Sequence, residues 1–598
     1  MKLAEALRVI HQAQRSDGPP CQVYLACGFE PLHLLTFLNA HCSLARPDRH
    51  VTLRRGSYAN LTGNLESPAA RESENVAMVL EWPDLDPRLG LRMPALWNAD
   101  TMREISVETA RRLARLEHAL EGLRHQSVIA CAPTLPFPPA ALVAPWLASE
   151  LELDLEYQLS SFRQRTRGLG VKWLSTGALG AVSPGTSRYD CKGDFSSGFP
   201  YSMTHADELA GLLSCLLFPP PLRKGVITDL DGTLWKGIVG EVGPANVSWD
   251  LDHNSRPHGL YQQILRSLAE SGILVGIASK NDPTVVTEAF QRRDLLLRAE
   301  HVFPMEVHWG PKSESVARIA KAWNIGLDSI VFVDDSALER DEVARAHPQV
   351  ECLEFPGDPG GVETLCRRLR GLFGRDKVTE EDQLRLSTIR QNQEWQAVTD
   401  AGEADEAFLA GLNARLLLDC RRHNPDSRAL ELINKTNQFN LNGARRDEGE
   451  WLRFLAQDNA FCWIVSYEDR LGPLGRIAVL AGTREGEHLT LAHWVMSCRA
   501  FSRRIEHACL SWLFHEVAGK PGATSVTLQF AATPRNGPTR DFLRLWRDGA
   551  DGQEAAEITL TRAAFEQHCP PLHHHFDDQP LTDGAGQRSE FASQEISS

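Results

Sequence analysis

Two aspartates one residue apart close an apolar run, Val226-Ile227-Thr228-Asp229-Leu230-Asp231, and Gly232-Thr233-Leu234-Trp235 follows. Alternate residues of a strand share a face, so Asp229 and Asp231 can reach one small volume. Carboxylates brought that close repel each other unless a cation lies between them, and hard oxygen ligands suit Mg²⁺. One carboxylate can then attack phosphorus while the other moves a proton. Three further stretches follow in order. Leu274-Val275-Gly276-Ile277-Ala278-Ser279-Lys280-Asn281 is an apolar run ending in a hydroxyl that can hold a phosphoryl oxygen. Gly310-Pro311-Lys312-Ser313 brings a cation for the phosphate. Ile330-Val331-Phe332-Val333-Asp334-Asp335 ends in paired carboxylates that would complete a metal site. Solvated strand ends and a surface lysine would account for any one of these alone. Four in this order and spacing point to one phosphate-handling centre.

This set resembles the four motifs of the haloacid dehalogenase (HAD) phosphatases. The resemblance implies Asp229 as nucleophile and Asp231 as general acid and base. It implies Ser279, Lys312 and Thr233 around the phosphate. Mg²⁺ would be held by Asp229, Asp334, Asp335 and the backbone carbonyl of Asp231.

These residues need buried strands to carry them. At 598 residues the chain is too long for one core, and with 42% hydrophobic and 24% charged residues it reads as ordinary globular protein. A net charge of −15 argues against nucleic-acid binding. No apolar run reaches the ~18 residues needed to span a membrane. The opening Met1-Lys2-Leu3-Ala4-Glu5-Ala6 is no signal peptide, and the thirteen cysteines show no CxxC pair. Reduced thiols in a cytoplasm are the expectation.

Residues 1–221 read as a doubly wound α/β domain, with strands at Gln22–Cys27, Val76–Leu80 and Ser127–Cys131 and helices at Leu32–Leu38 and Glu104–Arg124. They resemble the SGNH-hydrolase-like, flavodoxin-type domain that precedes the phosphatase in one HAD subgroup. The serine such a hydrolase needs after its first strand is absent; Gly28-Phe29-Glu30 stands there. Its Asp-x-x-His is replaced by Ser202-Met203-Thr204-His205. The domain is therefore expected to be catalytically idle, with His205 a structural or surface residue. After the Pro-rich Phe218-Pro219-Pro220-Pro221, residues 222–375 form the HAD domain, a Rossmannoid fold. The stretch from Glu241 to Leu274 has room for a flap and a helix, Tyr261–Glu270, but not for a large cap. Residues 376–420 read as a charged helical connector. Residues 421–570 read as an α+β domain with hairpin strands at Phe461–Tyr467 and Arg476–Ala481. A third strand, Leu489–Met496, runs through the basic turn Ser497-Cys498-Arg499-Ala500-Phe501-Ser502-Arg503-Arg504 into a helix, Ile505–Phe514. A basic turn entering a helix N-terminus suits a phosphate. It resembles the acyl-CoA-binding turn of GNAT acyltransferases, although Ser502 and Arg503 stand where a glycine is usual. His573, His574 and His575 read as a solvated run, and 571–598 as a disordered tail.

Three stretches narrow the resemblance: Leu234-Trp235-Lys236-Gly237-Ile238-Val239-Gly240-Glu241, Asn434-Lys435-Thr436-Asn437-Gln438-Phe439-Asn440 and Ser497-Cys498-Arg499. Together they look like the FkbH-like family, the HAD glyceryl transferase/phosphatases of polyketide assembly lines. The family more often carries Asn where Gly232 stands, and its Arg-x-x-Gly-Arg after the cysteine is altered here. The resemblance implies that D-1,3-bisphosphoglycerate is bound, its phosphate removed, and the glyceryl group passed as a thioester to the phosphopantetheine thiol of a holo acyl carrier protein. Cys498 would carry the acyl group, since a thiol before Arg499, Arg503 and Arg504 at a helix start has a lowered pKa. A buried core thiol is an equal reading of Cys498, and Cys462, between Phe461 and Trp463, reads as core. Asn434, Lys435, Asn437 and Gln438 read either as a capped turn or, as the resemblance implies, as a contact with the substrate carboxylate or pantetheine; Arg499, Arg503 and Arg504 would meet the acidic carrier protein or its pantetheine phosphate. The competing reading is a plain Mg²⁺ phosphatase acting on another phosphomonoester without acyl transfer.

Overall fold

The computed structural model describes all residues except 15–17, 93–96, 139–142, 145, 376–385, 387–388, 390–405, 421–426, 471, 498–499, 502, 515–521, 547–554 and 578–598. It is a mixed α/β protein whose chain divides into two compact units. The first unit is Met1–Pro220 with Arg446–Asp458; the second is Pro221–Arg445 with Asn459–Ser598.

The first unit is built on a parallel sheet in the order β2-β1-β3-β4-β5, formed by β1 (Pro20–Cys27), β2 (His50–Arg55), β3 (Asn75–Val79), β4 (Ser127–Cys131) and β5 (Lys172–Trp173). Both β3 and β4 are buried at every residue, as strands covered on both faces must be. Helices Leu32–Ala45 and Met203–Leu217 pack in the core that contains β1, and Ala99–Glu121 and Glu150–Gly168 in the core around Val76 and Met78. The helix Glu448–Leu455 also belongs to this unit. Its N-cap Asp447 takes Arg46 at 3.3 Å, Glu450 takes Arg49 at 2.7 Å, and Arg453 reaches Glu74 at 3.0 Å.

At Gly28, just past the end of β1, the space beside the backbone is filled. A Cβ on Gly28 would lie 1.6 Å from Asp84 Oδ1. His205 is 1% exposed, with Thr134 Oγ1 at 2.9 Å from Nε2 and Ser183 Oγ at 2.9 Å from Nδ1. Burial pushes its pKa down to about 3, with Arg188 adding to the effect. The ring is therefore a neutral, fully partnered core group. Asp84 accepts the Glu81 N–H at 2.8 Å, yet burial pushes its carboxyl up to about 7 from 3.8. A raised acid makes the native state bind more protons than the unfolded chain between those two pH values, so stability falls as pH rises through that window. Asp84→Asn removes this dependence. In urea unfolding it should gain about 3 kcal/mol over the parent near pH 8 and almost nothing near pH 4.

The second unit contains two sheets. One is parallel, in the order β10-β9-β6-β7-β8, from β6 (Gly225–Thr228), β7 (Leu274–Ser279), β8 (Met305–Val307), β9 (Ile330–Asp334) and β10 (Glu351–Glu354). The central strand β6 pairs Gly225 with Leu274 and Ile330, and Thr228 with Ile277 and Val333. Because β6, β7 and β9 run in the same direction in this register, Asp229, Ser279 and Asp334 all emerge at one edge. Helix Arg256–Glu270 follows the short turn of helix Val239–Val242, and no larger insertion separates β6 from β7.

The other sheet has eight strands in the order β17-β16-β15-β14-β13-β11-β18, with β12 paired to β15. Its strands are β11 (Arg415–Cys420), β12 (Phe439–Asn440), β13 (Ala460–Asp469), β14 (Gly472–Glu485), β15 (His488–Met496), β16 (Ser525–Ala531), β17 (Ala555–Thr561) and β18 (His575–Asp577). Strands β13 to β15 form the expected meander, and β15 leads to the helix Ile505–Phe514. The parallel pairing of β15 with β16 covers His488–Leu491 against Ser525–Leu528. Beyond it, residues 439–442 lie between the two strands. Leu441 N–H donates to Trp494 O at 2.9 Å, Ala531 N–H donates to Leu441 O at 3.1 Å, and Asn442 Nδ2 donates to Ala492 O and Gln529 O at 2.9 and 3.1 Å.

Residues 415–420 of the anticipated helical connector are strand β11; most of the rest of that stretch lies outside the described residues, as do residues 578–598 of the expected disordered tail, while His575–Asp577 within it form strand β18. The histidine run is tied down in part: His575 N–H donates to Ala414 O at 2.8 Å and His573 Nε2 meets Glu406 at 3.0 Å, while the His575 residue is exposed. Cys462 is 1% exposed in β13. Among the described residues no helix is long and apolar enough to cross a membrane.

Candidate active site

The end of β6 places Asp229 between the ends of β9 and β7. The Asp229 N–H completes the ladder to Val333 O at 3.0 Å, and the carboxylate then faces Lys312 and Asp334. Lys312 is the first residue of helix Lys312–Trp323. Its Nζ lies 2.9 Å from Asp229 Oδ1 and 2.6 Å from Asp334 Oδ2. All three are buried: Asp229 is 6%, Asp334 0% and Lys312 4% exposed. Asp335 completes the group and is exposed, and one oxygen each from Asp229, Asp334 and Asp335 lies within 4.8 Å of the others.

Burial, then the neighbouring Asp334, pushes the Asp229 carboxyl up to about 6, although Lys312 opposes the shift. Burial likewise raises Asp334 against the pull of Lys312. For Lys312 burial favours the neutral amine, but the two carboxylates outweigh it and the ammonium is held. Three carboxylates against one ammonium leave two negative charges uncompensated, the charge of one divalent cation. An all-carboxylate donor set with one open, exposed member fits Mg²⁺. Asp229, Asp334 and Asp335 would hold it.

Gly232, directly after Asp231, turns the chain with a φ of 72°, in the left-handed region. A side chain at this glycine would also meet Asp335 Oδ2 at 2.6 Å. The Asp231 carboxylate is gripped on both oxygens. Oδ1 accepts Trp235 Nε1 at 2.8 Å and the Val239 N–H at 3.0 Å, and Oδ2 accepts Asn281 Nδ2 at 3.0 Å. Ser279 is 3% exposed, and its Oγ accepts the Asn281 amide at 3.1 Å. Thr233 was expected at the phosphate. Its hydroxyl is instead buried, donates to Asp335 Oδ1 at 3.2 Å and accepts the Asp335 N–H at 3.1 Å. It sets the orientation of Asp335.

Trp235 and Asn281 carry this site without having been singled out in the sequence. The signal for Asn281 was available: it stands two residues past Ser279 and so shares its face, as Asp231 does with Asp229.

Of the residues assigned to a carrier arm, Lys435, Asn437, Arg503 and Arg504 have partners within the chain. Lys435 Nζ pairs with Glu431, and Asn437 Oδ1 accepts the Arg445 guanidinium. The Lys435 carbonyl accepts Lys224 Nζ at 3.3 Å, and Gln438 Nε2 donates to Asn324 Oδ1 at 2.9 Å. Lys224 precedes β6, so the stretch Asn434–Gln438 lies at the edge where that strand starts, opposite to Asp229. Arg503 is 3% exposed, with Nε on Asp469 Oδ2 at 3.2 Å, and Arg504 pairs with Glu406 at 2.6 Å. Both guanidiniums are thus engaged within the protein. Cys498 and Arg499 lie outside the described residues.

No family model and no curated protein matches the chain. Among solved structures, the N-terminal part of a Bacteroides fragilis protein, containing a phosphatase domain and complexed with Mg, is similar at a TM-score of 0.48 and 20% identity, over 62% of this chain and 99% of its own. An uncharacterised Corynebacterium glutamicum protein is similar at a TM-score of 0.19 and 20% identity, over 26% of this chain and 98% of its own.

Proposed function

We propose that this chain is a Mg²⁺-dependent HAD-type phosphatase that removes the phosphate of D-1,3-bisphosphoglycerate-derived glyceryl and passes the glyceryl group as a thioester to a holo acyl carrier protein. One observation carries the hydrolytic half: Lys312 bridges Asp229 and Asp334 at the edge where Asp335 also stands. Such a cluster is costly to bury, and a phosphate centre gives a reason for it. The transfer half rests on the FkbH-like resemblance of residues 234–241, 434–440 and 497–499, with Cys498 as the acyl-carrying thiol. The first unit would be an idle SGNH-like domain and the eight-stranded sheet a GNAT-like one.

The roles follow from position. An Asp229 oxygen attacks phosphorus as the bond from phosphorus to the glyceryl oxygen breaks, giving an aspartyl phosphate. Asp231 gives its proton to the departing oxygen, then takes one from the water that attacks the aspartyl phosphate. Lys312 and Ser279 hold the phosphoryl oxygens and offset the charge that grows on them. Bound Mg²⁺ would let the anionic carboxylate approach the anionic phosphate. Open surroundings, with no cap between β6 and β7, admit a substrate tethered to a carrier.

Intact masses test the reading. With 1,3-bisphosphoglycerate, Mg²⁺ and a holo carrier, the carrier should gain about 88 Da, the dephosphorylated glyceryl group. Cys498→Ala should abolish that gain and leave phosphate release intact. Phosphate release with every carrier of a panel unmodified would reduce the function to a phosphatase.

A further inference from the structure

We propose that Asn281 is a positioning residue that sets both Asp231 and Ser279 for phosphoryl transfer. The inference rests on the phosphatase reading and goes beyond it, because neither the motifs nor their implied roles give this side chain a task.

Asn281 is 4% exposed, so its amide can be satisfied only by what surrounds it. Its two N–H groups have separate acceptors: Asp231 Oδ2 at 3.0 Å and Ser279 Oγ at 3.1 Å. Each contact constrains the chemistry. A serine hydroxyl has one hydrogen and accepts through its lone pairs. With the amide occupying an acceptor position of Ser279, the hydroxyl hydrogen remains for a phosphoryl oxygen. Without Asn281 the hydroxyl can rotate and present a lone pair to the phosphate instead. On the other side, Trp235 Nε1 and the Val239 N–H both donate to Asp231 Oδ1. These two donors take up both lone pairs of Oδ1, whereas Asn281 takes up only one of Oδ2, so Oδ1 cannot be the oxygen that carries a proton while those bonds stand. The proton to be delivered must ride on Oδ2, and Asn281 is the side chain that fixes where Oδ2 points. One amide therefore keeps the proton-transfer oxygen and the phosphate-holding hydroxyl at a constant separation.

The experiment uses leaving groups. Protonation matters for an alkoxide and little for nitrophenolate, which leaves unaided. The purified full chain with Mg²⁺ is given an alkyl phosphate monoester and, separately, p-nitrophenyl phosphate, the latter read as the pre-steady-state burst of nitrophenolate. Asn281→Ala should lower kcat on the alkyl ester by about 30-fold or more and the burst rate by about threefold. Asn281→Asp keeps the size of the side chain but turns a donor into an acceptor against Asp231. It should stay folded but with a lower unfolding temperature than the parent, since a second buried carboxylate then faces Asp231, and it should lose at least as much on the alkyl ester. An equal loss on both substrates, or no loss on the alkyl ester, overturns the role of Asn281 while leaving the phosphatase reading in place. A parent protein that hydrolyses neither substrate overturns both.

Discussion

Asp229→Asn is expected to abolish phosphate release, by about 10⁴-fold or more, while leaving the protein folded. The amide cannot attack phosphorus, and the neighbours cannot replace it. Asp334 is held by Lys312 and by the Ser336 N–H at 2.8 Å, and Asp231 by three donors. The same substitution relieves a buried carboxylate that burial and Asp334 already push up to about 6. Lys312 keeps Asp334 as its partner, so the metal-free variant should unfold at the same temperature as the parent or higher. Phosphate release and thermal unfolding on one preparation check both parts. Activity that survives in the asparagine variant would remove Asp229 from the chemistry.

Lys312→Met is expected to damage activity and metal-free stability together. The ammonium is 4% exposed and offsets two carboxylates at 2.9 and 2.6 Å. Its removal leaves buried like charges facing each other with nothing between them, a change that typically costs about 3 kcal/mol. Loss of the cation at the phosphate should lower kcat by about 10³-fold. Mg²⁺ should restore much of the lost stability, because a cation held by Asp229, Asp334 and Asp335 supplies the missing charge. It should restore little of the rate. The unfolding temperature of parent and variant with and without Mg²⁺ gives the comparison. A variant as stable as its parent without Mg²⁺ would contradict the charge balance argued for this cluster.

The edge that gathers Asp229, Ser279, Lys312 and Asp334 was legible because Asp229, Ser279 and Asp334 each close an apolar run, and Lys312 stands in order between the last two. Buried strands in one parallel sheet bring their ends together whatever the intervening sequence does. Thr233 shows where that logic stops. Its place in the turn was readable, but its hydroxyl's partner is Asp335, far along the chain, and only the tertiary contact shows it supporting that carboxylate. The roles of Asn434–Gln438 were hidden as well. These polar residues looked like a binding cluster, yet several of their hydrogen bonds run to Glu431, Arg445, Lys224 and Asn324. Gly28 could be read as a missing serine. That Asp84 fills the space beside it could not, since nothing in the local sequence relates the two. Short strands such as β5 and β12, each of two residues, carry too few side chains to leave a period.

The most direct measurement is an acid-quenched single turnover with a ³²P-labelled phosphomonoester and Mg²⁺, followed by peptide mapping of the protein. The account predicts transient label on the peptide that contains Asp229, stable to the acid quench and released by hydroxylamine as an acyl phosphate is. Label on any other peptide, or phosphate released with no labelled protein at any time point, would contradict it.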